Sequence, residues 1–250
     1  MNEGMTTPVE RPTLYARWLS PEGYLGAHLV VGFLVMLAAG FIFVEISELV
    51  FESTTSLAVD AYAQSVAARF ATPALTSAML AITTLGNSPV LTVLSIAVAT
   101  WLGFAHSRRR LIAFIATMAG GSLMNLALKG FYRRERPFEV SPLAHADGFS
   151  FPSGHAMGAM LFFGALAYVV YFSIEKHRKW RVAAAAVCIL ATMAIGLSRV
   201  YLGVHYLTDV VAGWIAALCW IGVCLTGTEG WVKWRDWRRG RHLTPKEDPQ

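Results

Sequence analysis

Apolar residues in this chain fall into long runs separated by short charged clusters. Six runs approach the ~20 residues that a helix needs to cross a bilayer: 24–46, 89–105, 111–131, 153–174, 182–200 and 205–226. They predict an all-α polytopic membrane protein with six transmembrane helices. The stretch 47–88 differs, with acidic Glu48, Glu52 and Asp60, a single basic Arg69, and Ala-rich pieces at 57–70 and 74–84. Its periodicity predicts one or two amphipathic helices at the membrane surface between the first and second spans. Pro73 and the Gly86-Asn87-Ser88-Pro89 turn break it. Residues 74–84 fit equally an extension of the second span or a re-entrant piece.

Composition agrees with a membrane protein. Of 250 residues, 55% are apolar and 15% charged, where a soluble domain carries about 25% charge; the mean hydropathy is +0.49. The net charge of +5 does not point to nucleic acid as a partner. The basic residues sit between apolar runs, as the positive-inside rule requires. Cys188, Cys219 and Cys224 all lie within apolar runs and read as small core residues, with neither disulfide nor metal spacing. The chain divides into a polar arm, 1–23, a six-span domain, 24–228, and a basic tail, 229–250. The arm lacks the apolar core of a cleavable signal, so the first span is expected to act as an uncleaved anchor. The tail interleaves Trp231, Trp234 and Trp237 with Lys and Arg, as an interfacial helix does.

Six spans put both termini on one side. The basic clusters at 108–110, 176–181 and 233–241 share that side with Arg11 and Arg17, which predicts cytoplasmic termini. Lys129, Arg133, Arg134 and Arg136 break this rule by falling at the outer edge. Positive charge placed there against the topological preference is explained by binding an anion.

Three polar stretches reach that edge: Lys129 to Pro137, Phe151 to His155, and Ser198 to Asp209. His205 and Asp209, four apart, would share a helix face, with Gly203 breaking the chain between them and Arg199. A buried packing pair, or two metal ligands, would also account for His205 and Asp209. Lys129, Arg136 and Arg199 oppose a cation site and invite a multiply charged anion. Pro152-Ser153-Gly154-His155 opens the fourth span, where the free N–H groups of a first helical turn favour anions. Asp147, Glu135 and His145 read as solvated loop residues. Together the set suffices for phosphoryl transfer without metal or cofactor: a nucleophile with its support, an acid, and cations on the equatorial oxygens.

Lys129-(six residues)-Arg136-Pro137, Pro152-Ser153-Gly154-His155 and Ser198-Arg199-(five residues)-His205-(three residues)-Asp209 resemble the tripartite signature of the type-2 phosphatidic acid phosphatase superfamily. The six apolar runs resemble its integral membrane lipid phosphatases rather than its soluble acid phosphatases or haloperoxidases. The resemblance implies catalysis by His205 as phosphohistidine nucleophile, His155 as proton donor and Asp209 as support. It further implies phosphate binding by Lys129, Arg136, Ser153, Gly154 and Arg199, with no metal. The expected substrate is a lipid phosphate or pyrophosphate in the bilayer, of phosphatidate, phosphatidylglycerophosphate or undecaprenyl pyrophosphate type. The site would face outward from a bacterial-type plasma membrane. A lipid phosphotransferase using the same intermediate, or a transporter binding a lipid headgroup, are the competing readings.

Overall fold

The computed structural model describes residues 21–52, 54–105, 107–137, 148–173 and 178–240. Among these the chain is helical, without strands: α1 Pro21–Glu52, α2 Thr54–Arg69, α3 Pro73–Thr84, α4 Ser88–Phe104, α5 Arg108–Tyr132, α6 Gly154–Ser173, α7 Arg178–Tyr201 and α8 Leu207–Gly240. Five helices are long and apolar enough to cross a membrane, and a sixth span results if α3 and α4 are counted together across their 46° bend. Phe33, Leu37, Phe41 and Val44 of α1 leave half or more of their surface outside the fold. Such an apolar exterior suits lipid as the surrounding solvent.

The first span runs past its expected end at residue 46 to Glu52, since no Gly or Pro interrupts it. The segment 47–88 is therefore the end of α1, then α2, then α3. Thr72 caps α3, accepting from Leu75 N at 3.2 Å, with Pro73 in the first turn. The last span continues without a break into the basic tail as far as Gly240. The arm 1–20, the loop residues 138–147, including His145 and Asp147, the cluster 174–177 and the final 241–250 lie outside the described residues.

Helix α6 is the centre of the bundle, packed by α4, α5, α7 and α8. Ala156, Met157, Ala159 and Leu161 are fully buried along it. Leu161 and Met157 join Ala216, Ala217 and Ile221 of α8 in one cluster; Phe162, Ala165 and Val169 join Leu91, Leu102 and Phe114 in another. Helix α1 lies along α8, with Cys219 Sγ 3.6 Å from the Met36 carbonyl. All three cysteines are free. At the polar end, Phe43 and Phe51 of α1 ring Tyr132 and Phe151, with centroids 5.0 to 6.2 Å apart.

Gly213 sets how closely α8 approaches the start of α6. A Cβ there would stand 2.9 Å from the Ser153 carbonyl oxygen and 3.2 Å from Met157 N, both immobile backbone atoms. Gly213→Ala is therefore expected to cost about 1–3 kcal/mol of stability by forcing the two helices apart. Gly103→Ala, with open space around it, should cost nothing. Thermal unfolding of both variants in the same detergent checks this pair.

Candidate active site

The α7–α8 connection is built by Gly203. Its φ of +73° is open to glycine, and it closes α7 with Gly203 N–H to Val200 O at 3.0 Å and Val204 N–H to Arg199 O at 3.2 Å. These paired bonds form a Schellman ending. Beyond it, His205 and Asp209 do not share a helix face, contrary to expectation. His205 precedes α8 in the turn, while Asp209 sits in the first turn of α8. The Asp209 carboxylate reaches back to the Tyr206 N–H at 3.0 Å, half of a capping box. Helix formation in this turn thus orients the acid.

Asp209 Oδ2 lies 3.3 Å from His205 Nδ1 and also accepts from the Ser150 hydroxyl. Arg136 Nη1 stands 3.1 Å from His205 Nε2 on the other edge of the ring. A guanidinium only donates, so Nε2 must offer a lone pair and Nδ1 carries the proton toward Asp209. Burial pushes the His205 imidazole down to about 4; its bond and attraction to Asp209 resist this, while Arg136 and Lys129 add to the fall. At neutral pH the ring is uncharged, with one nitrogen held and the other presented.

The cations arrive from three elements. Lys129, in the last turn of α5, donates to the Phe149 carbonyl. Helix α5 then ends at Arg133 in the left-handed region, φ 47°, so Lys129 and Arg136 do not share a helical face. Arg136 is fixed in extended chain, donating to the Gly148 and Val204 carbonyls at 2.8 and 2.9 Å. Arg199, buried in α7, donates to Thr83 Oγ1 at 2.9 Å. At the start of α6, Ser153 N–H donates to the Asp209 carbonyl at 3.0 Å. Its hydroxyl accepts from Ala156 N at 3.4 Å, which leaves the hydroxyl proton and the Gly154 N–H for a ligand. A Cβ on Gly154 would lie 3.7 Å from Lys129 Cε and 3.3 Å from Asn125 Oδ1, so the α6 start faces the lysine. His155 Nε2 is 2.7 Å from Asn87 Oδ1.

Comparison with known proteins decides the family. The PAP2 superfamily model matches residues 110–233. Phosphatidylglycerophosphatase B of Bacillus subtilis (strain 168) is 34% identical over 149 residues, covering 58% of this chain and 71% of the relative. The chain belongs to the PAP2 superfamily. Among solved structures, a transmembrane PAP2 type phosphatidylglycerolphosphate phosphatase from Bacillus subtilis aligns with a TM-score of 0.71 at 26% identity, over 79% of this chain and 96% of that one. LpxE of Aquifex aeolicus shares the fold, with a TM-score of 0.51 at 23% identity over 65% of this chain and 92% of that one. With its helical spans, the membership makes this PAP2 protein a membrane phosphatase.

Sequence reasoning grouped Arg134 with the anion-binding arginines, and the structure corrects this. Arg134 Nη1 bonds Asp209 Oδ1 at 2.6 Å and Nη2 bonds Asp60 Oδ2 at 2.9 Å. Its guanidinium stacks 4.0 Å from the centroid of Tyr206. The anions it binds are the protein's own carboxylates. Asp60 of α2, expected to be a surface acid, is instead buried; it also accepts from Thr208 N–H at 3.0 Å and from the Thr208 hydroxyl at 2.7 Å. Ser150, Asn87 and Thr83 were also missed. Of these, Ser150 lies nearest a signature residue, three positions before Ser153. Glu135 is exposed, as expected.

Removing Arg134 strands two buried carboxylates. Arg134→Gln is expected to lose about 3–5 kcal/mol, read as a lowered midpoint of thermal unfolding. Arg134→Lys should recover only part of it, because an ammonium cannot bridge two acids as the planar fork does.

Proposed function

We propose that this PAP2 phosphatase hydrolyses a lipid phosphate or pyrophosphate without a metal, through a phosphohistidine on His205. The observation that carries the reading is how the His205 ring is held, with Nδ1 3.3 Å from buried Asp209 Oδ2 and Nε2 3.1 Å from Arg136 Nη1, an arrangement that suits a proton on Nδ1 and a lone pair on Nε2. Nε2 attacks phosphorus as the bond to the lipid oxygen breaks, and His155 gives that oxygen its proton. Lys129, Arg136 and Arg199, with the Ser153 hydroxyl and Gly154 N–H, hold the equatorial oxygens as charge develops on them. Water then attacks phosphorus, returning a proton to His155 and releasing phosphate from His205. Capture by a lipid alcohol instead of water would make the same site a phosphotransferase, and the yield of inorganic phosphate separates the two.

A lipid substrate is supported by a cleft of about 670 Å³ between α4, α5 and α6. Leu91, Ile96, Phe114 and Met118 line it, and Ser88, Asn125 and Gly154 mark its approach to the polar site. Such a cleft takes a chain in bilayer continuity while the headgroup enters among the cations. The names of the relatives support two of these lipids alike: phosphatidylglycerophosphate, from the Bacillus subtilis phosphatase, and undecaprenyl pyrophosphate, from a putative undecaprenyl-diphosphatase of Escherichia coli that is 33% identical over 141 residues, 54% of this chain and 65% of that relative. The basic clusters at 108–110, 176–181 and 233–241 favour cytoplasmic termini and a site at the outer face of a bacterial-type plasma membrane.

Rapid quenching with phosphorus-labelled lipid should trap an acid-labile, base-stable label on the wild-type protein. His205→Ala should lose both this label and phosphate release; an equally labelled His205→Ala protein would exclude the assignment. Since protonation removes the attacking lone pair, activity falls as pH drops through the His205 value. The acid limb of kcat/KM, corrected for substrate ionisation, is expected to have its midpoint near 4 rather than at the ordinary 6.5. A midpoint at the ordinary value would assign that limb to another group.

A further inference from the structure

Two groups in this reaction are held by the elbow between α3 and α4 rather than by their own helices. Thr83, in the last turn of α3, accepts from Arg199 Nη1 at 2.9 Å. Asn87, the residue that opens α4, places Oδ1 2.7 Å from His155 Nε2. Buried Gly86 between them lies against the same ring: a Cβ there would stand 3.1 Å from His155 Cδ2. Asn is among the best helix-capping side chains, yet Asn87 makes no side-chain cap bond to α4. Its amide is turned to the histidine instead. The next residues, Ser88, Leu91 and Thr92, line the apolar cleft. The Asn87 amide thus bonds His155 while its chain neighbour Ser88 lines the cleft.

We propose that Asn87 is a positioning residue for proton transfer, and that the α3–α4 elbow senses what is attached to the phosphate. This rests on the reading of His155 as the acid. An acceptor oxygen 2.7 Å from Nε2 favours a proton on that nitrogen and fixes the orientation of the ring. The step requires His155 as the imidazolium, a form that the negative charge of a bound phosphate stabilises against the cations around the ring. As the P–O bond breaks, its electron pair stays on the leaving oxygen, which takes the Nε2 proton. The ring is left neutral with its proton on Nδ1, and Nε2 recovers a proton from the attacking water in the second half-reaction. Asn87 touches the acid rather than the phosphorus, so its effect depends on how much the leaving group needs a proton.

The test compares kcat/KM, which covers phosphohistidine formation, on a lipid phosphate and on p-nitrophenyl phosphate, whose nitrophenolate departs without a proton. Asn87→Ala should lower the lipid value about 10-fold or more, a fraction of what a general acid contributes, and leave the nitrophenyl value within about threefold. That retained turnover also shows the variant to be folded. Asn87→Asp, which keeps an acceptor oxygen at the same reach, should recover most of the lipid value. Asn87→Ser, too short to reach the ring, gives the same comparison if the alanine protein is not recovered from the membrane. Equal losses on both substrates, or no loss on the lipid, overturn the proposal. His155→Ala run alongside separates the two ideas. If it too spares p-nitrophenyl phosphate, the acid assignment stands whatever Asn87 does; if it lowers both substrates equally, the acid assignment fails.

Discussion

A carboxylate removed from solvent must be paired on every side or it is prohibitively costly, and Asp209 is so paired. Arg134 takes one oxygen, while His205, Ser150 and the Tyr206 N–H share the other. Its own carbonyl receives Ser153 N–H from the start of α6. Three segments, at Arg134, at Ser150 to Ser153 and at His205 to Tyr206, are thereby referred to one residue. Orientation of the imidazole, the start of α8 and the seating of α6 are consequences of satisfying that one acid.

The same requirement reaches outward. Arg134 can hold Asp209 only because Asp60 fixes the far side of its guanidinium, and Asp60 also ties down the Thr208 end of α8. Helix α2 is part of the site's foundation, although none of its residues stands among the proposed phosphate ligands. On the opposite flank, α3 supplies Thr83 to Arg199. The two short helices between the first spans act as brackets on either side of the α7–α8 turn, with Tyr201 joined to Thr76 at 3.0 Å.

The helical class and most spans were legible because long apolar runs have few alternatives in a chain this poor in charge. The signature residues were legible because polar groups at a membrane edge are conspicuous. Arg134 was misread for a physical reason: charge-counting locates a cation at an edge but does not tell a ligand-binding arginine from one neutralised internally. That distinction depends on Asp60, 74 positions away, whose burial no local pattern announced. The elbow polar groups were invisible for a similar reason. Asn87 looks like an ordinary helix opener, and only the fold turns its amide away from that task. The pairing of His205 with Asp209 was anticipated while its geometry was not, because one glycine moved the start of the helix two residues downstream.

Two helices end at the site and two begin there. Helices α5 and α7 finish at Tyr132 and Tyr201, and α6 and α8 start at Gly154 and Leu207. The finishing ends carry partial negative charge, and each has a cation in its last turn, Lys129 in α5 and Arg199 in α7. The starting ends carry partial positive charge of their own. The backbone dipoles thus stabilise the two basic side chains before any phosphate arrives, and then reinforce them once it does. The finishing ends offset part of the like charge that the basic side chains gather, and the starting ends add to the attraction for an arriving phosphate.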